Sequence, residues 1–466
     1  MAPARERAVF VCNACGDESL RWEGRCPGCG EWNTLVEAKR SSREPSSGAW
    51  VAGANSAPQE LAQVAADAVP RLRLSSPEVN RVLGGGLVPG SLTLIAGDPG
   101  IGKSTLLLRL AADVSDAHGN TLYVCGEESA SQIKMRADRL GISGEGLYVL
   151  PSTDLDHVLR YLDETKPSLA VVDSIQTLND RSLPSGAGTI AQIRECTRRL
   201  IEWVKEHEVP LVLSGHVTKG GDIAGPRVLE HMVDAVLYME GDPISSWRLL
   251  RTVKNRFGST NEVGVLEMTS RGLIDVEDPS RAFLSERREG AIGSVIVATM
   301  EGSRPLLAEI QALTTPSSLP TPRRVATGLD LNRLLLVCAV LTRRVGMKLA
   351  DQDIVVNVAG GLRISEPAAD LGLALALASS VRNAPVEGSA AAVGEIGLSG
   401  EVRRVPQIGR RIQEVGRLGL QRCLVPSSAR DEWKDVHEVQ PIPVETLAEA
   451  IQICVPRGNR AQPAVL

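Results

Sequence analysis

Between residues 70 and 275 the chain alternates short, almost wholly apolar runs with longer amphipathic stretches. Ser91–Ala96, Thr121–Cys125, Leu169–Asp173 and Pro210–Ser214 are apolar runs, and helical patterns near 104–117, 129–140, 154–165 and 189–207 are interleaved with them. Strands apolar on both faces belong inside a sheet, and helices between them supply the crossovers. The pattern therefore predicts an α/β core with a parallel sheet covered on both sides. Trp247–Lys254 and Glu262–Thr269 read as a hairpin or meander closing that sheet.

A polar stretch, Asp278–Gly290, precedes a second unit with α+β patterning. Strands are expected there near 291–299, 305–313, 353–358 and 391–396, and helices near 329–344, 367–379 and 406–417. In front of the core lies a cysteine-rich unit at 8–36, joined by a Ser-, Ala-, Pro- and Gly-rich linker at 37–69. The division expected is thus 8–36, 37–69, 70–277, 291–455 and a frayed tail at 456–466, without internal repeats.

With 466 residues, 43% apolar and 23% charged, the chain has the make-up of a soluble multidomain protein. No apolar run approaches the ~20 residues of a membrane span, and MAPARERAVF has no signal-peptide core. A cytoplasmic protein without a membrane partner is expected. A net charge of −5 excludes nucleic-acid binding through overall basicity, so any such contact must come from local Arg and Lys clusters. Aromatics at 3% argue against a base-stacking platform.

Of nine cysteines, four stand as Cys12-x-x-Cys15 and, ten residues on, Cys26-x-x-Cys29. Each pair offers two thiolates from a tight turn, with Gly16, Gly28 and Gly30 available for its φ > 0 positions. Four soft ligands suit tetrahedral Zn²⁺ and leave no open position for catalysis, which predicts a structural zinc ribbon. A unit of about 30 residues cannot bury enough surface to fold alone, so the metal would supply much of its stability. The other five cysteines are scattered, as in a reducing compartment.

Gly97-Asp98-Pro99-Gly100-Ile101-Gly102-Lys103-Ser104-Thr105 matches GxxxxGK[ST] between an apolar strand pattern and a helical one. The glycines let backbone N–H groups wrap phosphates at a helix N-terminus. Lys103 is expected to meet the β- and γ-phosphates of ATP, and Ser104 to ligate Mg²⁺. Asp173, ending LAVVD, is the candidate water-mediated Mg²⁺ holder. Glu127 and Glu128 follow TLYVC, a strand expected beside the phosphate-loop strand. Glu127 is the candidate that orients the attacking water, and its neighbour reads as a helix N-terminal acid. Lys254 and Arg256, two apart at a strand end, are expected to project together, in a multimer toward a neighbouring subunit's γ-phosphate.

The succession of the four-cysteine unit, GGGLVPGS before GDPGIGKST, YVCGEES, VVDSIQT, LSGHVTK, AGPRVLEHMVD and KNRFG resembles the RadA (Sms) family of bacterial DNA repair proteins. The likeness covers nearly the whole chain. It implies a RecA-like hexameric ring that hydrolyses ATP on single-stranded and branched DNA, associated with the nucleoid when engaged. Such a ring would drive branch migration alongside the RecA recombinase. By the same resemblance, Asn179–Ile190 stands where the family has a first DNA-binding loop, and Val217–Leu229, with Lys219 and Arg227, where it has a second. His216 stands at the γ-phosphate sensor. The Lys219-Gly220-Gly221 sequence departs from the acidic residue that often follows that lysine.

RPLLAEIQAL, VNVAGG and GLSGEVRRVPQIGRR resemble the proteolytic domain of Lon. Peptide hydrolysis there would need a serine and a lysine base. Glu366-Pro367-Ala368-Ala369-Asp370 carries alanine at the serine's place, and Gly409-Arg410-Arg411 stands near the lysine's. Arginine does not deprotonate in proteins, so no protease activity is expected. Arg403, Arg404, Arg410 and Arg411, with Arg343, Arg344 and Lys348, are candidate phosphate contacts. An ATP-dependent protease and a KaiC-like ATP switch remain the competing readings.

Overall fold

The computed structural model describes residues 8–12, 18–19, 21–27, 30–39, 70–216, 228–241, 246–386, 390–434 and 436–456. Cys15, Cys29, Lys219 and Arg227 lie outside these residues, with most of the expected linker, the second expected DNA loop and nearly all of the tail. The chain forms two compact units, Met1–Asp275 and Val276–Leu466.

The first unit opens with three antiparallel strands, β1 (Ala8–Cys12), β2 (Glu18–Ser19) and β3 (Leu35–Lys39), in the order β2-β1-β3. Cys12, Cys26 and Leu35 make a small core there with Phe10 against it. The core domain follows: α1 (Pro77–Leu83), β4 (Leu92–Gly97), α2 (Lys103–Ala117), β5 (Thr121–Cys125), α3 (Ala130–Leu140), β6 (Leu147–Pro151), α4 (Leu155–Thr165) and β7 (Leu169–Asp173). After it come α5 (Ile190–His207), β8 (Leu211–His216), α6 (Val228–Met232), β9 (Ala235–Glu240), β10 (Trp247–Asn255), β11 (Val263–Thr269) and β12 (Gly272–Asp275).

These strands form one nine-stranded sheet, β12-β11-β10-β9-β4-β8-β7-β5-β6. From β9 to β6 all pairings are parallel, and β10 to β12 extend the sheet as an antiparallel meander. The parallel strands are apolar on both sides because both sides are covered. Leu106, Leu110, Ile133 and Ala137 from α2 and α3 pack on one face, and Val158, Leu162, Cys196 and Leu200 from α4 and α5 on the other. One expectation is overturned. The strand leading to Glu127, β5, does not adjoin the phosphate-loop strand β4; β8 and β7 stand between them. The crossover through α2 carries the chain past two places in the sheet, which β7 and β8 later fill. The strand order therefore opens a crevice at the carboxyl ends of β4, β8, β7 and β5, where open α/β sheets bind ligands.

The second unit comprises α7 (Pro279–Leu284), β13 (Ser294–Glu301), β14 (Arg304–Pro316), β15 (Arg324–Thr327), α8 (Leu331–Val340), β16 (Gln352–Val358), α9 (Asp370–Arg382), β17 (Ala390–Ala392) and β18 (Glu395–Ile396). It ends with β19 (Val402–Arg403), α10 (Ile408–Arg417), β20 (Arg422–Pro426), β21 (Gln440–Val444) and α11 (Leu447–Cys454). Its mixed sheet runs β15-β16-β14-β13-β17-β20-β21. The helix expected to 344 stops at Val340 and widens into a π turn, Leu341–Val345, while the strand expected at 391–396 is split into β17 and β18. Helix α9 is buried from Asp370 to Ser379. Gly372 allows this, since a Cβ there would meet Val297 Cγ1 at 2.1 Å.

Among the described residues no helix is long and apolar enough to cross a membrane.

Candidate functional site

The phosphate-loop sequence leaves β4 at Gly97 and enters α2 at Lys103. Gly97 abuts the backbone of β9: a Cβ would lie 2.5 Å from Met239 O. Gly100, at φ +77°, has nothing within 4 Å of its Cβ position, so the tip of the loop borders open space. Helix α2 has Gly102 as N-cap, no side-chain cap and no acid in its first turn. Its first N–H groups and the positive end of its dipole are left for an anion. By contrast α3 begins with a complete capping box from Ser129 and Gln132.

Lys103 is 4% exposed and folds back into the loop, its Nζ donating to Gly97 O at 2.8 Å and Asp98 O at 2.9 Å. Burial pulls its pKa down, opposed by the charges of Asp173, Asp98 and Glu127. Asp98, Pro99 and Gly100 are exposed, Ile101 is buried, and Ser104 and Thr105 are half-buried at the head of α2. Arg248 on β10, which sequence reasoning missed, donates through Nε to Ile101 O at 2.9 Å and so braces the loop from beneath.

Asp173 ends β7 and accepts from Tyr123 Oη at 2.8 Å. Burial raises the Tyr123 pKa, and the Asp173 charge adds to the shift. Such a phenol remains a donor and fixes the carboxylate at the strand end. The two glutamates after β5 have different surroundings. Glu128 is held bidentately by Arg136, at 2.5 and 2.7 Å. Glu127 accepts from Ser174 Oγ at 2.9 Å and lies close enough to act on Lys103. His216 ends β8 beside Gly97 of β4; its side chain is outside the described residues. Lys103, Asp173 and Glu127 are thus gathered at one crevice although β4 and β5 are not neighbours.

Lys254 and Arg256 are elsewhere. Asn255 pairs with Ala235, which pairs with Thr93 at the start of β4, while Gly97 pairs with Met239. Four residue steps separate those registers, roughly 13 Å along the strands. A register shift between Thr252 and Lys254 turns the lysine toward the end of α6, where its Nζ donates to Glu230 O, His231 O and Val233 O at 2.7–3.2 Å. Arg256 pairs with Asp234 Oδ1 at 3.0 Å. Asp234 is 3% exposed and also accepts from Leu92 N and Lys205 Nζ, so it ties this corner to the start of β4. AGPRVLEHMVD contains it, but a lone aspartate before a strand gave no reason to single it out.

In the ribbon, Cys12 and Cys26 share one buried cluster. Gly30 N donates to Cys26 O at 2.9 Å and Gly30 has φ +77°, the tight turn a thiolate knuckle needs. That arrangement fits a metal held by thiolates, while Cys15 and Cys29 lie outside the described residues.

Of the arginines considered for phosphate in the second unit, Arg411 is corrected. It is 1% exposed, donating to Glu366 Oε1 and Oε2 at 2.6 and 2.7 Å, to Ala298 O at 2.7 Å and to Pro406 O at 3.1 Å. Arg403 and Arg404 are exposed but paired with Glu401 and Glu432, and Arg410, Arg343, Arg344 and Lys348 are exposed.

Three family models match this chain: a rubredoxin metal binding domain at residues 10–37, an AAA domain at 57–222, and the ChlI subunit of Mg-chelatase at 337–429. They agree with a zinc-ribbon module, a RecA-like nucleotide-binding core and a Lon-like second unit. The DNA repair protein RadA of Listeria monocytogenes is 48% identical over 98% of this chain and 100% of its own length. The RadA of Halalkalibacterium halodurans is 48% identical over 97% and 100%, and that of Bacillus subtilis 47% over 96% and 99%. Identity of this extent over nearly the whole length makes the chain a member of the RadA family of bacterial DNA repair proteins.

Proposed function

We propose that this chain is a DNA-dependent ATPase and translocase that drives branch migration of recombination intermediates in DNA repair, working with the RecA recombinase. The observation that carries the reading is the uncapped head of α2 facing an open glycine loop, with Lys103, Asp173 and Glu127 around it. In this reading Gly97–Thr105 wraps the phosphates of ATP and Lys103 exchanges its two loop carbonyls for phosphate oxygens. Ser104 and Asp173 hold Mg²⁺, which when bound neutralises charge on the β- and γ-phosphates. Glu127, to which Ser174 Oγ donates, orients the attacking water, and His216 reads the γ-phosphate. Cys12, Cys15, Cys26 and Cys29 hold Zn²⁺.

Lys254 and Arg256 sit too far along the strands to serve their own chain's nucleotide, which favours action on the next protomer of a homo-hexamer. A cation delivered in this way is worth about 10³–10⁵ in rate. Peptide hydrolysis has no support in the second unit. Ala368 is buried at the nucleophile's place, and Arg411 is locked in an ion pair where a base would be needed.

The decisive measurement is ATPase activity with and without single-stranded and forked DNA, together with the mass of the assembly. DNA-stimulated hydrolysis by a hexamer is expected. A monomer whose turnover ignores DNA would point instead to a KaiC-like ATP switch. Lys103→Ala and Lys254→Ala should each abolish turnover, and mixing the two should restore part of it. No restoration in mixed assemblies would refute the trans role.

A further inference from the structure

The turn after β7, Ile175–Thr177, touches three places that the proposed function treats separately. Thr177 packs on Gly126, the residue before Glu127: a Cβ on Gly126 would be 1.9 Å from Thr177 Oγ1. Gln176 O lies 3.6 Å from the Cβ position of Gly188, within the segment 179–190 that resembles a DNA-binding loop. Gln176 Nε2 lies 3.9 Å from the Cβ position of Gly215, next to His216 at the end of β8. Ser174, just before the turn, donates to Glu127. One short turn is thus wedged among the water-orienting acid, the base of the first DNA loop and the strand that ends at the γ-phosphate sensor.

Gln176 is the unusual member. Both its amide atoms are buried, and neither has a hydrogen-bond partner among the described residues. A buried primary amide with nothing to bond is unfavourable as packing, since an apolar side chain of the same shape would serve better. Nearby, Thr177 Oγ1 donates to Ser174 O at 2.8 Å, and Gln192 bonds Asp180 N, Asp180 O and Ser185 O at the base of the 179–190 segment. Ser185 Oγ and Ser214 Oγ, on either side of the turn, are like the Gln176 amide buried without a partner among the described residues. The segment is therefore fixed at its root, while among the described residues the amide between it and the nucleotide crevice has neither its donor nor its acceptor bonded.

We infer that Gln176 is a coupling residue: its amide bonds to the end of β8 or to the nucleotide-bound crevice in the ATP state, and through Gly188 this sets the position of the DNA loop. The inference rests on the DNA-dependent ATPase reading. It is a switch between an unbonded and a hydrogen-bonded arrangement of one amide, a two-state element that both sites can bias, which is what linkage between them requires.

The test compares Gln176→Met, which keeps length and flexibility but removes the amide, with wild-type full-length protein. Basal ATPase should stay within about twofold, and the gain in affinity for a dT oligonucleotide on adding a non-hydrolysable ATP analogue should shrink, with affinity in the absence of nucleotide unchanged. Stimulation of turnover by that oligonucleotide should fall about tenfold, inside the range of typical site-to-site coupling. The melting temperature should be no lower than wild type, because no hydrogen bond of the resting state is lost. Gln176→Asn, whose amide is retained but withdrawn by one methylene, should give intermediate stimulation. Full stimulation in either variant would overturn the inference. So would a lowered melting temperature with a matching loss of basal activity, the mark of a structural role. Wild-type protein indifferent to DNA would overturn the underlying reading, and this inference with it.

Discussion

The two units each carry a cluster of polar groups near the head of a helix, and the clusters have opposite states. At α2 no side chain caps the helix, Gly100 borders open space, and among the described residues Lys103 hydrogen-bonds to loop carbonyls alone. Near α9, the place of a Lon-like dyad is filled: Ala368 is buried, Arg411 makes four hydrogen bonds, and Glu366 also accepts from Met300 N at 2.7 Å. Both are rich in polar groups. The difference is that the first leaves donors for a ligand, whereas in the second each charge is answered from within the chain. Buried charge by itself therefore says little about function. Unused hydrogen-bonding capacity says much more.

The largest effect that probes this contrast is expected at Lys103. Lys103→Met should lower phosphate release by about 10³-fold, the scale of losing one well-placed cation or donor in the transition state, while circular dichroism stays unchanged. A variant with more than a tenth of wild-type turnover would remove Lys103 from the chemistry.

A moderate effect is expected in the second unit, on stability alone. Arg411→Met strands the Glu366 carboxylate and should cost about 3 kcal/mol in denaturant unfolding, while Glu366→Leu combined with Arg411→Met should recover most of it. Neither should alter basal ATPase. A double variant as unstable as the single one would mean that the pair does more than fill space.

The smallest effect belongs to an ion pair nearer the surface. The Arg417 guanidinium beside Asp278 holds its carboxyl down to about 2, against partial burial. A carboxylate depressed in the folded state contributes stability that is complete above its unfolded value near 4, and that stability fades as pH falls toward 2. Asp278→Asn should remove this acid-side slope and cost no more than about 1 kcal/mol at pH 7. An unchanged pH profile between 2 and 4 would show the pair to be energetically silent.

Much of this was legible in the sequence where local chemistry speaks alone. GDPGIGKST needs only its flanking strand and helix patterns to be read, and the apolar runs of β4, β5, β7 and β8 announce a buried parallel sheet. Strand order was not legible: nothing local in TLYVC tells that β7 and β8 will come between β5 and β4. Arg248, Asp234 and Gln176 escaped notice for a related reason. Each is one polar residue in an ordinary stretch, and its meaning comes from partners 20 to 150 positions away or, for Gln176, from an amide unbonded among the described residues. Arg411 was misread because a run of arginines in sequence looks solvent-facing, while the helical repeat of α10 sends one of them into the core.

Asp234 also gives the core domain a direction. By clasping the first residue of β4 and Arg256 together, it places the basic corner at the opposite end of the very strand whose other end opens into the phosphate loop. If the basic corner serves the nucleotide of another copy, as proposed, face-to-face pairing about a twofold axis would leave both ends, socket and plug, unused. Copies would then stack in one sense, each completing the next, in a series that either closes on itself or continues as a filament.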